Sequence, residues 1–409
     1  MEDLRRLQES FNGKPRSHAC ELDCDPASLF LRCLFSAAIM DFKTTTLAEL
    51  RARRAFLPTL SAFVGFDGFV DTIVTPVGLR SGAGENFTPL STIPEFSARV
   101  LGAAGKSTNI ELYPRVEKLG GNGPIMANAL LAGGAKITYV GALGKAVIHP
   151  VFQDLTRSAK VISLCDPATT IAIEFDDGKL MLGQMRSLDE ITFEKIVETM
   201  GEKAFRDTIS GASLVALVNW TMIPSMTAIF EGLLDKVLPT LPRQDRIFFF
   251  DLADPEKRSI ADLLKALGLL ARFDKFGRVT LGLNLKEAQQ VYVALGFAPT
   301  EASDEATLCR TAAEIRAKLH VSTVVIHPRE SAACATADGS AWVPGPYTST
   351  PLVTTGAGDH FNAGFSIGQL LGLSPEACLG VGVCTSGHYV RTGFSPSLDD
   401  LETFLANWK

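Results

Sequence analysis

The sequence lacks a surplus of positive charge: 39 Lys and Arg stand against 45 Asp and Glu, a formal net charge of −6 over 409 residues. That argues against a nucleic-acid binder, which would carry a basic face. Long apolar runs are missing too. No stretch of about 18 residues is free of charges and helix breakers, so no membrane span is expected; residues 29–40 come nearest and are too short. The opening Met1-Glu2-Asp3-Leu4-Arg5-Arg6 is followed by no apolar region of the signal-peptide kind, and a cytoplasmic protein is expected. Cysteine is sparse: eight, scattered, fit reduced thiols better than a disulfide framework. His18, Cys20, Cys24 and Cys33 cluster loosely, but the second ligand pair of a zinc site is absent. Internal repeats and low-complexity tracts are absent.

What is present is apolar residue enough, at 46%, for a large core, in one large domain or two to three smaller ones. From Ser61 onward, near-continuous apolar runs alternate with helical segments. Strands are expected at 62–66, 138–142, 214–218, 247–251, 279–283 and 323–326, forming a mostly parallel sheet covered on both faces. Ligands bind at the carboxyl ends of such strands, which singles out Asp67, Asn219 to Thr221, Asp251 and Asn284. Two segments alternate instead. Residues 69–77 and 170–182, the second with an Asp177-Gly178 turn, are expected to be half-exposed antiparallel strands of a small lid. Closing it would keep water from whatever binds beneath it. Ahead of the sheet, Thr46 with Glu49 three residues on has the spacing of a capping box.

The segment that carries chemistry is Thr354-Thr355-Gly356-Ala357-Gly358-Asp359, running into a helical stretch from Phe361. Small residues at a helix start let backbone N–H groups crowd around an anion, and the macrodipole favours negative charge there. The amides of Gly356, Ala357 and Gly358 are the expected anion hole. A carboxylate beside such a hole fits a general base, so Asp359 points to phosphoryl transfer to an alcohol. An ordinary helix N-terminus with an acidic first turn is the structural alternative. Gly364, Gly368 and Gly372 recur every four residues and should let a neighbouring element pack closely. Gly105-Lys106-Ser107 is not a phosphate loop, because Val100 stands where its first glycine should be.

This segment resembles the second signature of the ribokinase-type (PfkB) carbohydrate kinases, and three more stretches match that family in order. They are Gly120-Gly121-Asn122-Gly123 with Ala127-Asn128-Ala129, then Asn284-Leu285-Lys286-Glu287, then Arg391-Thr392-Gly393-Phe394-Ser395-Pro396-Ser397. The resemblance covers about residues 61–405 and implies a ribokinase-like three-layer α/β/α sandwich with a small β-lid near 68–118 and 169–184. Residues 1–60 would be an N-terminal extension and leading helix. Residues 1–39 match nothing in the family, and are an extension or lie upstream of a true start at Met40; peptides upstream of Met40 in mass spectrometry would exclude the latter.

Site roles follow from the same resemblance. Asp359 is the base; Asp71, Gly121, Asn122, Gly123 and Asn128 contact the sugar. Asn284 and Glu287 hold the waters of a magnesium ion, and Thr355, His388, Arg391 and Gly393 lie on the nucleotide side. His360, directly after the base, is read as structural, with a contact to nucleotide or substrate as the alternative. The implied partners are ATP and a small sugar, with Mg2+, and a homodimer through the lid. Val353 stands where the family has an aspartate that helps hold a monovalent cation, which argues against such activation, and residues 326–331 lack the usual glycines. A nucleoside kinase is the nearest alternative, with an ADP-using relative and a non-catalytic sugar or nucleotide sensor of the same fold behind it.

Overall fold

In a computed structural model, residues 42–408 are described. The residue 1–39 extension and its His18, Cys20, Cys24 and Cys33 cluster lie outside them. Along the chain the strands are β1 (Ser61–Phe66), β2 (Phe69–Arg80), β3 (Phe87–Pro89), β4 (Leu112–Gly120), β5 (Lys136–Ala142), β6 (Lys160–Cys165), β7 (Ala168–Phe175) and β8 (Gly178–Gln184). They continue with β9 (Leu214–Leu217), β10 (Ile247–Asp251), β11 (Arg278–Leu283), β12 (Thr323–Ile326), β13 (Ser331–Thr336) and β14 (Gly339–Pro344). Nine form the main sheet in the order β14-β13-β12-β11-β10-β9-β1-β5-β6. Pairing is parallel from β6 through β12 and antiparallel only for β13 and β14.

Every residue of β9, β10 and β12 is buried, which is why these strands read as unbroken apolar runs and not as alternation. Two apolar clusters, one per face, bury the sheet beneath helices. The helix at 42–53 belongs to this body. Phe42 and Leu50 are buried on it, Arg51 and Arg54 pair with Glu402, and the compact unit begins at Phe42, not at Ser61. Thr46 does not cap this helix as expected. It sits in the helix interior, fully buried, while Glu49 accepts from the N–H and hydroxyl of Ser374 at 2.8 Å each, at the start of the Pro375–Thr392 helix.

The lid is a second sheet of β3, β2, β7 and β8, with β4 also pairing β2. Its two expected strands are not antiparallel to one another: β2 runs parallel to β7, and each has its own antiparallel partner, β4 and β8. The β7–β8 turn is Asp176-Asp177, one residue earlier than expected, since Phe175 pairs with Gly178. Between β3 and β4 the helix Ile93–Leu101 is closed by a Thr92/Glu95 capping box. The lid leaves Leu79, Val116, Met181 and Leu182 exposed. Gly105-Lys106-Ser107 lies in an exposed turn beyond the Ile93–Leu101 helix.

Close approach of the helices Ala357–Leu370 and Pro375–Thr392 depends on glycine. A Cβ at Gly364 would stand 2.4 Å from Thr385 Oγ1, and one at Gly368 2.7 Å from Cys378 Cα. Gly372, by contrast, lies past the helix end at φ +65° and serves its termination.

Candidate active site

Thr354 to Asp359 enter the Ala357–Leu370 helix through Gly356, whose φ of +89° is the left-handed conformation. The Ala357 N–H closes a turn onto the Thr354 carbonyl (3.2 Å), and the His360 N–H reaches the Gly356 carbonyl (3.0 Å). Among the described residues, the N–H groups of Gly356, Gly358 and Asp359 donate to no protein acceptor. The amides free to meet an anion are therefore these three, with Asp359 in the place expected for Ala357. The Asp359 carboxylate is buried and accepts from Asn122 Nδ2 at 2.8 Å. Burial, then repulsion from Asp251 and Asp67, holds its pKa well above the usual carboxylate range.

Asn122 opens the helix Asn122–Gly133, whose N-cap Gly121 has no side chain to offer. Asp67, just past β1, does the capping from a distance: its carboxylate accepts from Asn122 N (2.9 Å), Gly123 N (2.8 Å) and Asn219 Nδ2 (2.6 Å). Burial nevertheless raises Asp67 to about 6. The Asn122 amide is thus left to hold Asp359. A Cβ on Gly120 would fall 2.4 Å from Asp71 Oδ2, and one on Gly123 2.7 Å from Asp67 Oδ1. These glycines leave room for the carboxylates of Asp71 and Asp67 to lie against the backbone. Asp71 lies on β2 between Lys118 and Thr170, buried, its pKa raised by that burial against a hydrogen bond from Thr170. Asn128 does not reach the cleft: it follows Asn122 by six residues, about 240° around the helix.

A cleft of about 750 Å³ opens beside Asp359, with Asn122, Asp251, Asn284, Glu287 and Thr355 among its walls. Asn284 and Glu287 form a reciprocal capping box at the start of the helix Leu285–Ala294. The Glu287 carboxylate accepts from Asn284 N and Asp254 N, both at 2.9 Å. The Asn-x-x-Glu spacing is first of all a helix start. Asp251, at the end of β10, accepts from Asn362 Nδ2 at 2.8 Å through one oxygen, while the other, Oδ1, is buried without a partner. Burial and the neighbouring Glu287 hold Asp251 well above its usual range, and burial raises Glu287. Two buried carboxylates with one orphaned oxygen fit a divalent cation.

Of the expected nucleotide-side residues, Thr355 lines the cleft, but His388, Arg391 and Gly393 do not. Arg391 donates to the carbonyls of Gly387 (2.8 Å) and Tyr347 (2.9 Å), tying the helix to the loop that walls the cleft. His388 faces the Phe394 carbonyl, and Gly393 ends the helix at φ +77°. The wall is made instead by Gly387, Val390, Tyr347 and His327. His327 stacks on Phe361 with centroids 4.6 Å apart, and burial lowers its pKa to about 4. Sequence reasoning gave no role to Lys179 on β8, whose Nζ donates to Thr355 Oγ1 at 3.1 Å and pairs with Glu174 at 3.2 Å. Asn362 was also missed, although its place one helical turn after Asp359 is a signal that sequence carries.

Comparison with known proteins places the chain in a family. The family model for prokaryotic ketohexokinase matches residues 43–408. The chain belongs to that family. Ketohexokinase from Haloferax volcanii is 30% identical over 346 residues, 84% of this chain and 90% of that one. Among solved structures, a carbohydrate kinase from Agrobacterium tumefaciens superposes with a TM-score of 0.59 at 16% identity, over 85% of this chain and 97% of that one. Ribokinase from Thermotoga maritima gives 0.56 at 16% identity, over 85% and 99%. These likenesses carry the ribokinase-like fold, and family membership makes this prokaryotic ketohexokinase relative a carbohydrate kinase of the PfkB type.

Proposed function

We propose that this kinase transfers the γ-phosphoryl group of ATP to a hydroxyl of a ketohexose, with Asp359 as general base. The observation that carries the mechanism is the buried Asp359 carboxylate beside three unengaged amides at one helix start. The choice of a ketohexose rests on the family and on the Haloferax volcanii relative's name.

Asp359, held by Asn122, would take the proton of the attacking hydroxyl. Its raised pKa supports that role, because a base of higher affinity for protons pulls harder, provided it is ionised at working pH. The free N–H groups of Gly356, Gly358 and Asp359 would meet charge on the transferring phosphoryl oxygens; losing one such donor typically costs about 3 kcal/mol of transition-state stabilisation. Lys179, brought by the lid to Thr355, would add a positive charge on the same side and exclude water when the lid is shut. Asp251 and Glu287 would hold Mg2+ largely through water, and when bound the ion would neutralise charge on the nucleotide phosphates. Among the described residues no three His, Cys, Asp or Glu side chains gather as a metal cage, in keeping with an ion held mainly by phosphate and water.

The test is formation of the phosphorylated acceptor by the purified protein with ATP, or ADP in its place, Mg2+ and a panel of ketohexoses, aldoses, sugar acids and nucleosides. Turnover greatest on a ketohexose with ATP is expected. Preference for a nucleoside, or for ADP as donor, would reject this assignment.

A further inference from the structure

The Asp359 turn is held from behind by an aromatic pair that does not line the cleft. His360 and Tyr389 stack with ring centroids 3.6 Å apart and planes 12° from parallel. Tyr389 Oη donates to the Thr355 carbonyl at 3.0 Å. His360 Nδ1 lies 2.7 Å from the Gly356 carbonyl, and its Nε2 lies 2.8 Å from Ser395 Oγ. Two consecutive carbonyls of the turn are therefore fixed by side chains from outside it, and Ser395 ties the pair to the loop that follows Gly393.

The chemistry of the partners sets the proton positions. A carbonyl only accepts, so Nδ1 carries the hydrogen, and Nε2 accepts from the Ser395 hydroxyl. Burial, which lowers His360 to about 4, keeps the ring neutral and hence able to do both. In a planar trans peptide the carbonyl and the following N–H point in opposite directions. Holding the Thr355 carbonyl towards Tyr389 consequently aims the Gly356 N–H away from the ring pair, and that amide has no acceptor among the described residues.

We infer that His360, stacked on Tyr389 and bonded to the Gly356 carbonyl, is a positioning residue that fixes the Thr355–Gly356–Ala357 peptides so that the Gly356 amide faces the transferring phosphoryl group. It touches no reacting atom. The inference rests on the proposed phosphoryl transfer, and a second readout separates the two.

An asparagine at 360 can place an N–H where Nδ1–H stands, whereas a glutamine places its amide nearer Nε2. His360→Asn should keep kcat within about threefold of the wild type, while His360→Gln and His360→Ala lose about 10- to 100-fold, with KM for both substrates within about threefold. Tyr389→Phe, which removes the bond to the Thr355 carbonyl, should lose about tenfold. Melting temperatures measured in parallel identify any variant whose loss is one of folding. Wild-type kcat in folded His360→Ala, or equal losses in folded Asn and Gln variants, would overturn the inference. Independently of turnover, 15N spectra of the wild type, assigned by the signal missing in His360→Asn, should show a neutral Nδ1–H tautomer. An Nε2–H tautomer would contradict it even if the kinase activity is as proposed, and a wild type inactive on every acceptor would reject the activity while leaving the tautomer to judge the positioning of the turn.

Discussion

Asp251 is the residue whose environment asks most plainly for a ligand. One carboxylate oxygen is bonded to Asn362 and the other is buried and unpartnered, while Glu287 repels it. Asp251→Asn removes charge from that pair without removing volume. We expect the Mg2+ concentration for half-maximal activity to rise at least about tenfold, with kcat partly recovered at high Mg2+; an unchanged magnesium titration would remove Asp251 from the ion site. Asp251 also illustrates how far single residues were legible. The rule that ligands gather at carboxyl ends of parallel strands picks out Asp67, Asn219, Asp251 and Asn284 from the sequence alone. It could not say that Asp67 would cap a helix from another element, because the contact between positions 67 and 122 exists only once β1 and the Asn122–Gly133 helix are packed together.

At the scale of elements, two different devices meet at Thr355. The helix start supplies amides, and β8 of the lid supplies Lys179. The first was readable, since small residues before a helix carry their meaning locally. The second was not. A lysine in an alternating strand reads as a solvent-facing residue, and its destination depends on how the lid folds over the cleft. The lid strands themselves were legible from their period, but their pairing was not: alternation reports one buried face and says nothing about parallel or antiparallel partners. If Lys179 acts on the transferring group, Lys179→Met should lower kcat about 10- to 100-fold with little change in melting temperature. A kcat like that of the wild type in steady-state assays would make the contact with Thr355 a lid latch only.

Stability belongs to the whole molecule, and here the buried carboxylates set its pH dependence. Asp67 is raised from the usual value near 4 to about 6 in the folded protein. Between those values the native state keeps a proton that the unfolded chain has released, so this group makes the protein more stable at the lower pH and less so as pH rises to about 6. Relative to Asp67→Asn, which cannot titrate, the wild type should lose on the order of 3 kcal/mol over that window. Urea unfolding of both proteins at several pH values between 4 and 7 measures it, and parallel curves would refute the shift. The overall architecture was the most legible level of all, because unbroken apolar strands between helices leave few arrangements other than a covered parallel sheet. The leading helix was the exception: its amphipathic pattern could not disclose that Phe42 and Leu50 enter the same core as the last helix.

The central claim is that Asp359 removes the proton of the acceptor hydroxyl. Its most direct test is Asp359→Asn, a change of charge at constant shape, assayed for ADP release with saturating ATP, Mg2+ and the best ketohexose, alongside ATP affinity by calorimetry. The account predicts a kcat lower by about 10² to 10⁴ with ATP binding retained within about threefold. A variant that turns over within about tenfold of the wild type while binding ATP normally would contradict it, and the base would have to be sought elsewhere.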